Sequence, residues 1–312
     1  MHSQPPSHFR HSRGPLRRIA TLLGWLLLSA GVLSAQVALA EERALGGHLR
    51  LVGSASLAQP MVLWAEAFHQ RYPDLQVQVQ AAGSATTPAA LIESTAQLGA
   101  MSRLMRADEI DAFVQRHGYP PTAWMVAQDE LAVFVHQDNP LASLSRLQLD
   151  ALFSAVGLCG GRSAALRWRD LGVEGPLAAQ RVRLYGRNSA SGSQSFFKQH
   201  ALCGGDFRTQ VQELPSSAAI LRALEQDASG LGYASATQVP AGVREVPLET
   251  GRFVRYLYFY LHQVPGQPLP SREAAFLEFV LSDQGQALLL EAGYLPLKAP
   301  QLAQLRARLA TP

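Results

Sequence analysis

Residues 182–201 read VRLYGRNSASGSQSFFKQHA, and this stretch decides the fold class. Val182 to Tyr185 is predicted to be a strand, and Gly192 to Ala201 has the pattern of a helix. A polar turn containing Arg, Ser and Gly joins the two segments. Strand-like and helix-like segments alternate in the same way along the rest of the chain, so the sequence predicts an α/β fold.

Two further turns have the same character. Gly53-Ser54-Ala55-Ser56-Leu57 precedes a helical pattern, and Gly83-Ser84-Ala85-Thr86-Thr87 follows a segment of period two. A helix that begins at such a turn presents unpaired backbone N–H groups and a partial positive charge, and small residues let an anion approach them. Arg187 adds a planar cation suited to two oxygens of one anion. Together the turns predict a site for a small oxyanion without any metal.

Ordinary helix capping is the alternative explanation of these turns, because Ser and Thr are favoured caps in all proteins. For any one turn this explanation is at least as good as a functional one. Three such turns at the carboxyl ends of strands, where open α/β sheets bind their ligands, favour the functional interpretation.

Several other kinds of site do not fit these residues. Gly186 to Ser193 lacks the Lys of a P-loop, and neither Ser189 nor Ser191 lies in a G-x-S-x-G motif. The histidines beyond the first 40 residues are scattered without the spacing of metal ligands. The sequence predicts no catalytic residue, no metal and no cofactor, and an exported phosphoester hydrolase remains the enzymatic alternative.

The first 40 residues predict a signal peptide. A basic stretch ends at Arg18, an apolar run extends from Ile19 to Leu33, and Ala38-Leu39-Ala40 has the small-x-small pattern of a cleavage site. The alternative is a membrane anchor, but the apolar run is shorter than the ~20 residues that span a bilayer. We therefore expect a periplasmic or secreted protein that is cleaved after Ala40.

Charge and cysteine content agree with export. Four arginines and no acidic residue lie in the first 40 positions, so 23 basic and 24 acidic residues remain. A nucleic-acid-binding protein would keep a basic surplus, and we set that class aside. Cys159 and Cys203, the two cysteines of the chain, each precede two glycines. In an oxidising compartment they predict a disulfide, and two separate buried thiols are the alternative.

At these turns the sequence resembles the PstS-type phosphate-binding proteins of bacterial ABC importers. The resemblance runs from about Leu49 to Leu297 and includes a third segment, Gly99-Ala100-Met101-Ser102-Arg103. It implies a two-lobed type II periplasmic-binding-protein fold, in which each lobe is a mixed sheet flanked by helices and the ligand lies in the cleft between the lobes. Lobe 1 would comprise residues 41–128 and 234–312, and lobe 2 residues 129–233.

The resemblance also implies a ligand set and partners. Hydroxyl groups, backbone amides and arginines would hold inorganic phosphate, and permease subunits in the inner membrane would receive it from a monomeric protein. The implied ligand residues are Ser56, Leu57, Ser84, Ser102, Arg103, Arg187, Ser191, Gly192 and Ser193.

Arg103 is a departure from the family pattern, which has an Asp after the Ser of the third segment. Phosphate at neutral pH still carries a proton, so its discrimination from sulfate needs a hydrogen-bond acceptor. Asp129 or Glu130 could supply one, or Arg103 points outward, pairs with Asp108 and leaves a less selective site. A binding protein for sulfate or molybdate, and a surface or sensor protein without a transport role, are therefore the other interpretations.

Overall fold

Nine strands of the described residues join in one hydrogen-bonded sheet. The computed structural model of the chain describes residues 45–161 and 166–310, so the predicted signal peptide and its cleavage site lie outside the described residues. In chain order the strands are β1 (Gly47–Gly53), β2 (Leu75–Gln80), β3 (Leu98–Met101), β4 (Thr122–His136), β5 (Arg183–Arg187), β6 (Gln212–Leu214), β7 (Gly230–Ser235), β8 (Val243–Val246) and β9 (Phe253–Leu261). The order across the sheet is β2-β1-β3-β9-β4-β7-β5-β6, and β8 pairs with β4.

Helices flank the sheet in the alternating order that the sequence predicts. They are α1 (Ala58–Arg71), α2 (Thr87–Ile92), α3 (Ala107–His117), α4 (Arg146–Phe153), α5 (Gly192–Ala201), α6 (Ser217–Glu225), α7 (Ser271–Leu281), α8 (Asp283–Glu291) and α9 (Ala299–Leu309). Helix α2 ends at Ile92, shortly before Ser94, which takes a left-handed conformation with φ of 53°. No described helix is long and apolar enough to cross a membrane.

Strand pairing differs between the ends and the centre of the sheet. At the ends, β1 pairs parallel with β2 and β3, and β5 pairs parallel with β6 and β7. In the centre, β9 runs antiparallel to β3 and β4, and β4 runs antiparallel to β7. The carboxyl ends of β1, β2 and β5 lead directly into the polar turns that the sequence singles out.

Strand β4 connects the two ends of the sheet. Its residues Thr122–Leu131 pair with β9, and Leu131–Val135 pair with β7. The register of β4 against β9 places Asp129 directly opposite Arg255. One acidic and one basic residue therefore meet in the middle of a largely apolar sheet.

Helix α5 is anchored through its buried aromatic face. The ring of Phe197 stacks on that of Tyr233 in β7, with centroids 4.0 Å apart and planes 7° apart. Phe153 contacts both rings edge-on. Burying one such side chain contributes about 1.5–3 kcal/mol, so the first turn of α5 is held firmly against β5 and β7.

The predicted disulfide between Cys159 and Cys203 is confirmed. Their Cα atoms lie 5.3 Å apart, and the bond joins the segment after α4 to the residues after α5. The alternative of two separate thiols is thereby wrong.

Candidate functional site

The turn after β1 is built around Gly53 and Ser54. Gly53 has a φ of 139°, and a Cβ there would lie 2.0 Å from the carbonyl oxygen of Ala100, so glycine is required. The Ser54 hydroxyl accepts the Ser56 amide proton at 3.1 Å and donates its own proton to Ser102 Oγ at 3.0 Å. Ser54 thus joins the turn after β1 to the segment after β3.

The turn after β2 brings a second hydroxyl to the same place. Ser84 is fully buried, its Oγ accepts the Ser102 amide proton at 3.1 Å, and it lies 3.2 Å from Ser102 Oγ. Ser102 therefore contacts both Ser54 and Ser84, and the turns after β1, β2 and β3 meet at this residue.

The turn after β5 reaches this group from the other end of the sheet. Ser191 caps α5 by accepting the Ser193 amide proton at 3.1 Å, and Ser193 Oγ lies 3.1 Å from Ser56 Oγ. A Cβ at Gly192 would lie 2.4 Å from both Ser84 Oγ and Ser102 Oγ. Side chains from distant parts of the sequence therefore form one buried group, which we call the serine cluster: Ser54, Ser56, Ser84, Ser102, Ser191 and Ser193.

Arg187 ends β5 and is buried with an incomplete set of partners. Its Nη2 donates to the carbonyl oxygen of Pro215 at 2.8 Å, whereas its buried Nε has no hydrogen-bond partner among the described residues. Burial lowers the pKa of its guanidinium to about 10, with a smaller contribution in the same direction from the charge of Arg255. A buried cation with an unsatisfied N–H is suited to an anionic ligand.

Arg255, which the sequence interpretation missed, connects the serine cluster to Asp129. Its Nε and Nη2 donate to Asp129 Oδ2 at 2.9 and 2.5 Å, and Nη2 also donates to Ser56 Oγ at 3.1 Å. The side chains of Arg255 and Asp129 are both almost fully buried. We call Asp129 and Arg255 the central ion pair. Acidic residues in β4 and an arginine in the aromatic strand β9 were the available signal, but only the register identifies Asp129 and Arg255 as partners.

Asp129 keeps one carboxylate oxygen free within the described structure. Its Oδ2 accepts from Arg255 and from the Ser235 hydroxyl at 3.0 Å, while the buried Oδ1 has no partner among the described residues. An unsatisfied buried acceptor costs about 1–3 kcal/mol, and more when it is charged. Asp129 Oδ1 is therefore a buried acceptor without a donor, on the carboxylate that binds Arg255.

The serine hydroxyls are arranged to donate to a ligand. Ser56, Ser84, Ser102 and Ser191 each accept a proton from Arg255, from a backbone amide or from Ser54. Each hydroxyl has one proton of its own. One proton bonds Ser84 to Ser102 and another bonds Ser56 to Ser193, and the remaining hydroxyl protons can be donated to a ligand. Convergent donors around a buried arginine are the chemistry that stabilises an oxyanion.

Two of the three backbone amides that the resemblance implies as donors are already used. The Leu57 amide donates to the carbonyl oxygen of Ser54 at 3.0 Å, and the Ser193 amide donates to Ser191 Oγ. The Gly192 amide donates to no acceptor among the described residues. Of these three amides, only that of Gly192 is without an acceptor among the described residues.

Arg103 does not join the serine cluster. Its Nη1 and Nη2 donate to the two carboxylate oxygens of Glu109 at 2.7 and 2.6 Å. The predicted pairing of Arg103 with Asp108 is wrong, since Asp108 pairs with Arg106 instead. The physical reason is that Glu109 also accepts the Arg106 amide proton at the start of α3, which turns its carboxylate back towards Arg103.

A cavity of about 490 Å³ lies beside the serine cluster, and Ser102 and Arg255 both line it. The Phe196 ring of α5 also lines it, with the Arg255 Cζ atom 5.7 Å from the ring centroid. A larger cavity of about 690 Å³ lies against β1, β2 and α2, and no hydroxyl of the serine cluster lines it. The smaller cavity is therefore the one that adjoins the candidate site.

The two-ended sheet with flanking helices is the fold of the periplasmic-binding-protein class. A family model described as a PBP superfamily domain matches residues 38–284. Two solved structures share the fold. A phosphate ABC transporter substrate-binding protein of Clostridium perfringens, with bound phosphate, has a TM-score of 0.67 at 21% identity and covers 81% of this chain and 100% of that one. An ABC-type phosphate transport receptor of Vibrio cholerae has a TM-score of 0.62 at 22% identity, and the match covers 79% of this chain and 99% of that one.

Sequence comparison defines the family more closely. The phosphate-binding protein PstS of Pseudomonas aeruginosa is 42% identical over 309 residues, which cover 91% of this chain and 96% of that protein. The protein of the same name in Bacillus subtilis is 25% identical over 271 residues, covering 82% of each chain. The chain belongs to the PBP superfamily and, within it, to the PstS family.

Proposed function

We propose that this chain is an exported, monomeric receptor that binds inorganic phosphate and delivers it to the permease subunits of an ABC importer. One observation carries the proposal: buried hydroxyls from several strand–helix turns converge beside the buried Arg255, whose charge interacts with that of Arg187, and the central ion pair keeps one buried acceptor, Asp129 Oδ1, without a donor. The names of the relatives, which are phosphate-binding proteins, support the same ligand.

Charge balance favours an anion in this site. Arg187, Arg255 and Asp129 together carry one net positive charge, and all three are almost completely buried. A buried charge without compensation is costly, and breaking a buried pair costs about 3–5 kcal/mol. A phosphate anion bound beside Arg187 would supply the missing negative charge and accept the free N–H of its Nε.

The free oxygen of Asp129 favours phosphate over sulfate. Phosphate keeps at least one proton at neutral pH, and this proton can be donated to Asp129 Oδ1. Sulfate has none, so its oxygens would face the carboxylate without a hydrogen bond. Sites that hydrogen-bond a ligand group discriminate by up to about 10⁴–10⁵ against an analogue that lacks the group. Asp129 is thus proposed to replace the acceptor that the family places at position 103.

The test is a calorimetric titration of the mature protein with phosphate and then sulfate. We expect the wild type to bind phosphate and to ignore sulfate. Asp129→Asn keeps the side-chain shape but offers an N–H in place of an acceptor. It should weaken phosphate binding by at least about tenfold, which corresponds to 1.4 kcal/mol, and should reduce the discrimination against sulfate.

Glu130→Gln is the matched control. Glu130 is the next residue in β4 and pairs with Arg252 at the surface, outside the serine cluster. Its substitution should leave both titrations unchanged. A wild-type protein that binds sulfate as tightly as phosphate would identify a receptor for another oxyanion, and unchanged selectivity in Asp129→Asn would remove Asp129 from the ligand set.

Binding without catalysis is part of the proposal. The hydroxyls of the serine cluster contact other hydroxyls, backbone amides and Arg255, whereas a nucleophilic serine needs an adjacent base. Incubation with p-nitrophenyl phosphate should release no p-nitrophenol. Turnover that disappears in Ser56→Ala would establish a phosphoester hydrolase instead.

The division into lobes and the site of cleavage also belong to the proposal. Lobe 1 would hold residues 41–128 and 234–312, and lobe 2 residues 129–233, with closure of the cleft as a hinge motion. The exchange of pairing partners along β4, from β9 to β7 at Leu131, supports this division.

Amino-terminal sequencing of the exported protein should begin at Glu41 if cleavage follows Ala40.

A further inference from the structure

The turns after β2 and β5 touch although their strands lie far apart in the sheet. Five strands separate β2 from β5 in the sheet order. At about 4.8 Å per strand, a flat sheet would hold the two strands about 29 Å apart. Instead, the Ala85 amide donates to the Ala190 carbonyl oxygen at 3.1 Å. The sheet therefore curls until the backbones of these two turns meet.

Glycine at position 83 makes this contact sterically feasible. Gly83 has a φ of 115°, and a Cβ there would lie 2.6 Å from the Ala190 carbonyl oxygen and 3.0 Å from the Ala190 Cβ. Real Cβ atoms do not come so close to a backbone oxygen, so one of the turns would have to move. The hydrogen bond between Ala85 and Ala190 is made by backbone atoms alone.

The hydrogen bond between Ala85 and Ala190 lies next to the serine cluster but involves none of its hydroxyls. Ala85 follows Ser84, and Ala190 precedes Ser191. Because the Ala85 N–H is used by Ala190, it is not available to a ligand. The bond fixes the distance between two turns that each supply donors to the site.

We propose that Gly83, Ala85 and Ala190 are positioning residues for the oxyanion site: their backbone contact holds the turn after β2 against the turn after β5 in the closed arrangement. The inference rests on the proposed function, since it assigns the contact to ligand binding. A contact that forms only in the closed arrangement favours that arrangement and raises the apparent affinity for any ligand that requires it.

Gly83→Ala tests the inference, with Gly118→Ala as a matched control. Gly118 also has a positive φ, of 82°, but a Cβ there would meet nothing within 4 Å. Both substitutions strain the backbone, and only the first one pushes the two turns apart. Ala190→Leu is a second test variant, because it enlarges the opposite side of the contact at a position without positive φ.

Phosphate affinity, the radius of gyration from small-angle X-ray scattering in saturating phosphate, and the unfolding temperature are measured for all variants. Gly83→Ala and Ala190→Leu should bind phosphate at least about tenfold more weakly and show a larger radius of gyration. Gly118→Ala should lose stability while its affinity and radius stay at the wild-type values. A purely structural role of Gly83 would lower only the unfolding temperature.

Folded Gly83→Ala or Ala190→Leu protein with wild-type affinity and radius would overturn the inference. The wild-type titration separates this result from a failure of the proposed function. If the wild type binds phosphate and the variants bind equally well, only the positioning role is rejected. If the wild type does not bind phosphate, the proposed function is rejected, and the inference that rests on it is rejected as well.

Discussion

The polar turns and the central ion pair bring polar groups to the same site by different routes. Each turn concentrates Gly and Ser within a few consecutive residues, and its geometry follows from local rules of capping and glycine conformation. Asp129 and Arg255 are 126 positions apart and are each embedded in an apolar strand. Polar residues that lie together in one turn can therefore be recognised in the sequence. Polar residues that strand register brings together cannot be recognised in this way.

Removal of Arg255 should produce the largest effect, which is a loss of stability. It tests the central ion pair separately from the polar turns. Arg255→Met leaves Asp129 buried without its cation, and the unfolding free energy should fall by about 3–5 kcal/mol. Urea denaturation measures this change. The double variant Asp129→Asn with Arg255→Met should recover a large part of the loss, because no unpaired charge remains.

Arg252→Met is the control for that experiment. Arg252 is a nearly half-exposed residue that pairs with Glu130 and Glu245 at the surface. Exposed pairs contribute only about 0–1 kcal/mol, so its loss should be small. Equal losses for the two arginine variants would show that burial of the central ion pair has no special energetic role.

Removal of Arg187 should have the next largest effect, this time on binding. Arg187→Ala should weaken phosphate binding by about 100-fold or more, because truncating a buried charge partner costs about 2–5 kcal/mol. The unfolding temperature should stay constant or rise, since the variant loses a buried cation whose Nε has no partner in the described structure. Calorimetry and thermal unfolding of the same samples provide both measurements.

Arg183→Ala serves as the matched control on the same strand. Arg183 is more than half exposed and pairs with Asp227, away from the serine cluster. It should leave phosphate affinity unchanged. Wild-type affinity in Arg187→Ala would remove Arg187 from the ligand set and leave Arg255 as the buried cation that contacts the serine cluster.

The smallest effect is expected at Arg103. Its guanidinium is held by Glu109, so Arg103→Gln should change phosphate affinity by less than about twofold while lowering stability slightly. A titration beside the wild type checks this expectation. A loss of tenfold or more would return Arg103 to the ligand set and would make the segment after β3 resemble the other turns more closely.

Much of the fold and of the serine cluster could be predicted from the sequence. Gly53, Gly83 and the serines that follow them are locally recognisable, because tight turns before helices need small residues and capping hydroxyls. The position of Arg103 could not be predicted in this way. Its place directly after Ser102 suggested a ligand, and only the packing of α3 showed that Glu109 takes its charge.

The sequence by itself determined the alternation of strands and helices, the polar turns at strand ends, and the disulfide between Cys159 and Cys203. These features depend on chemistry within a few residues or on the pairing of the only two thiols. The tertiary structure alone decided that Asp129 faces Arg255 and that the turns after β2 and β5 meet. Both depend on register and curl accumulated across the whole sheet, and no short segment of the chain contains that information.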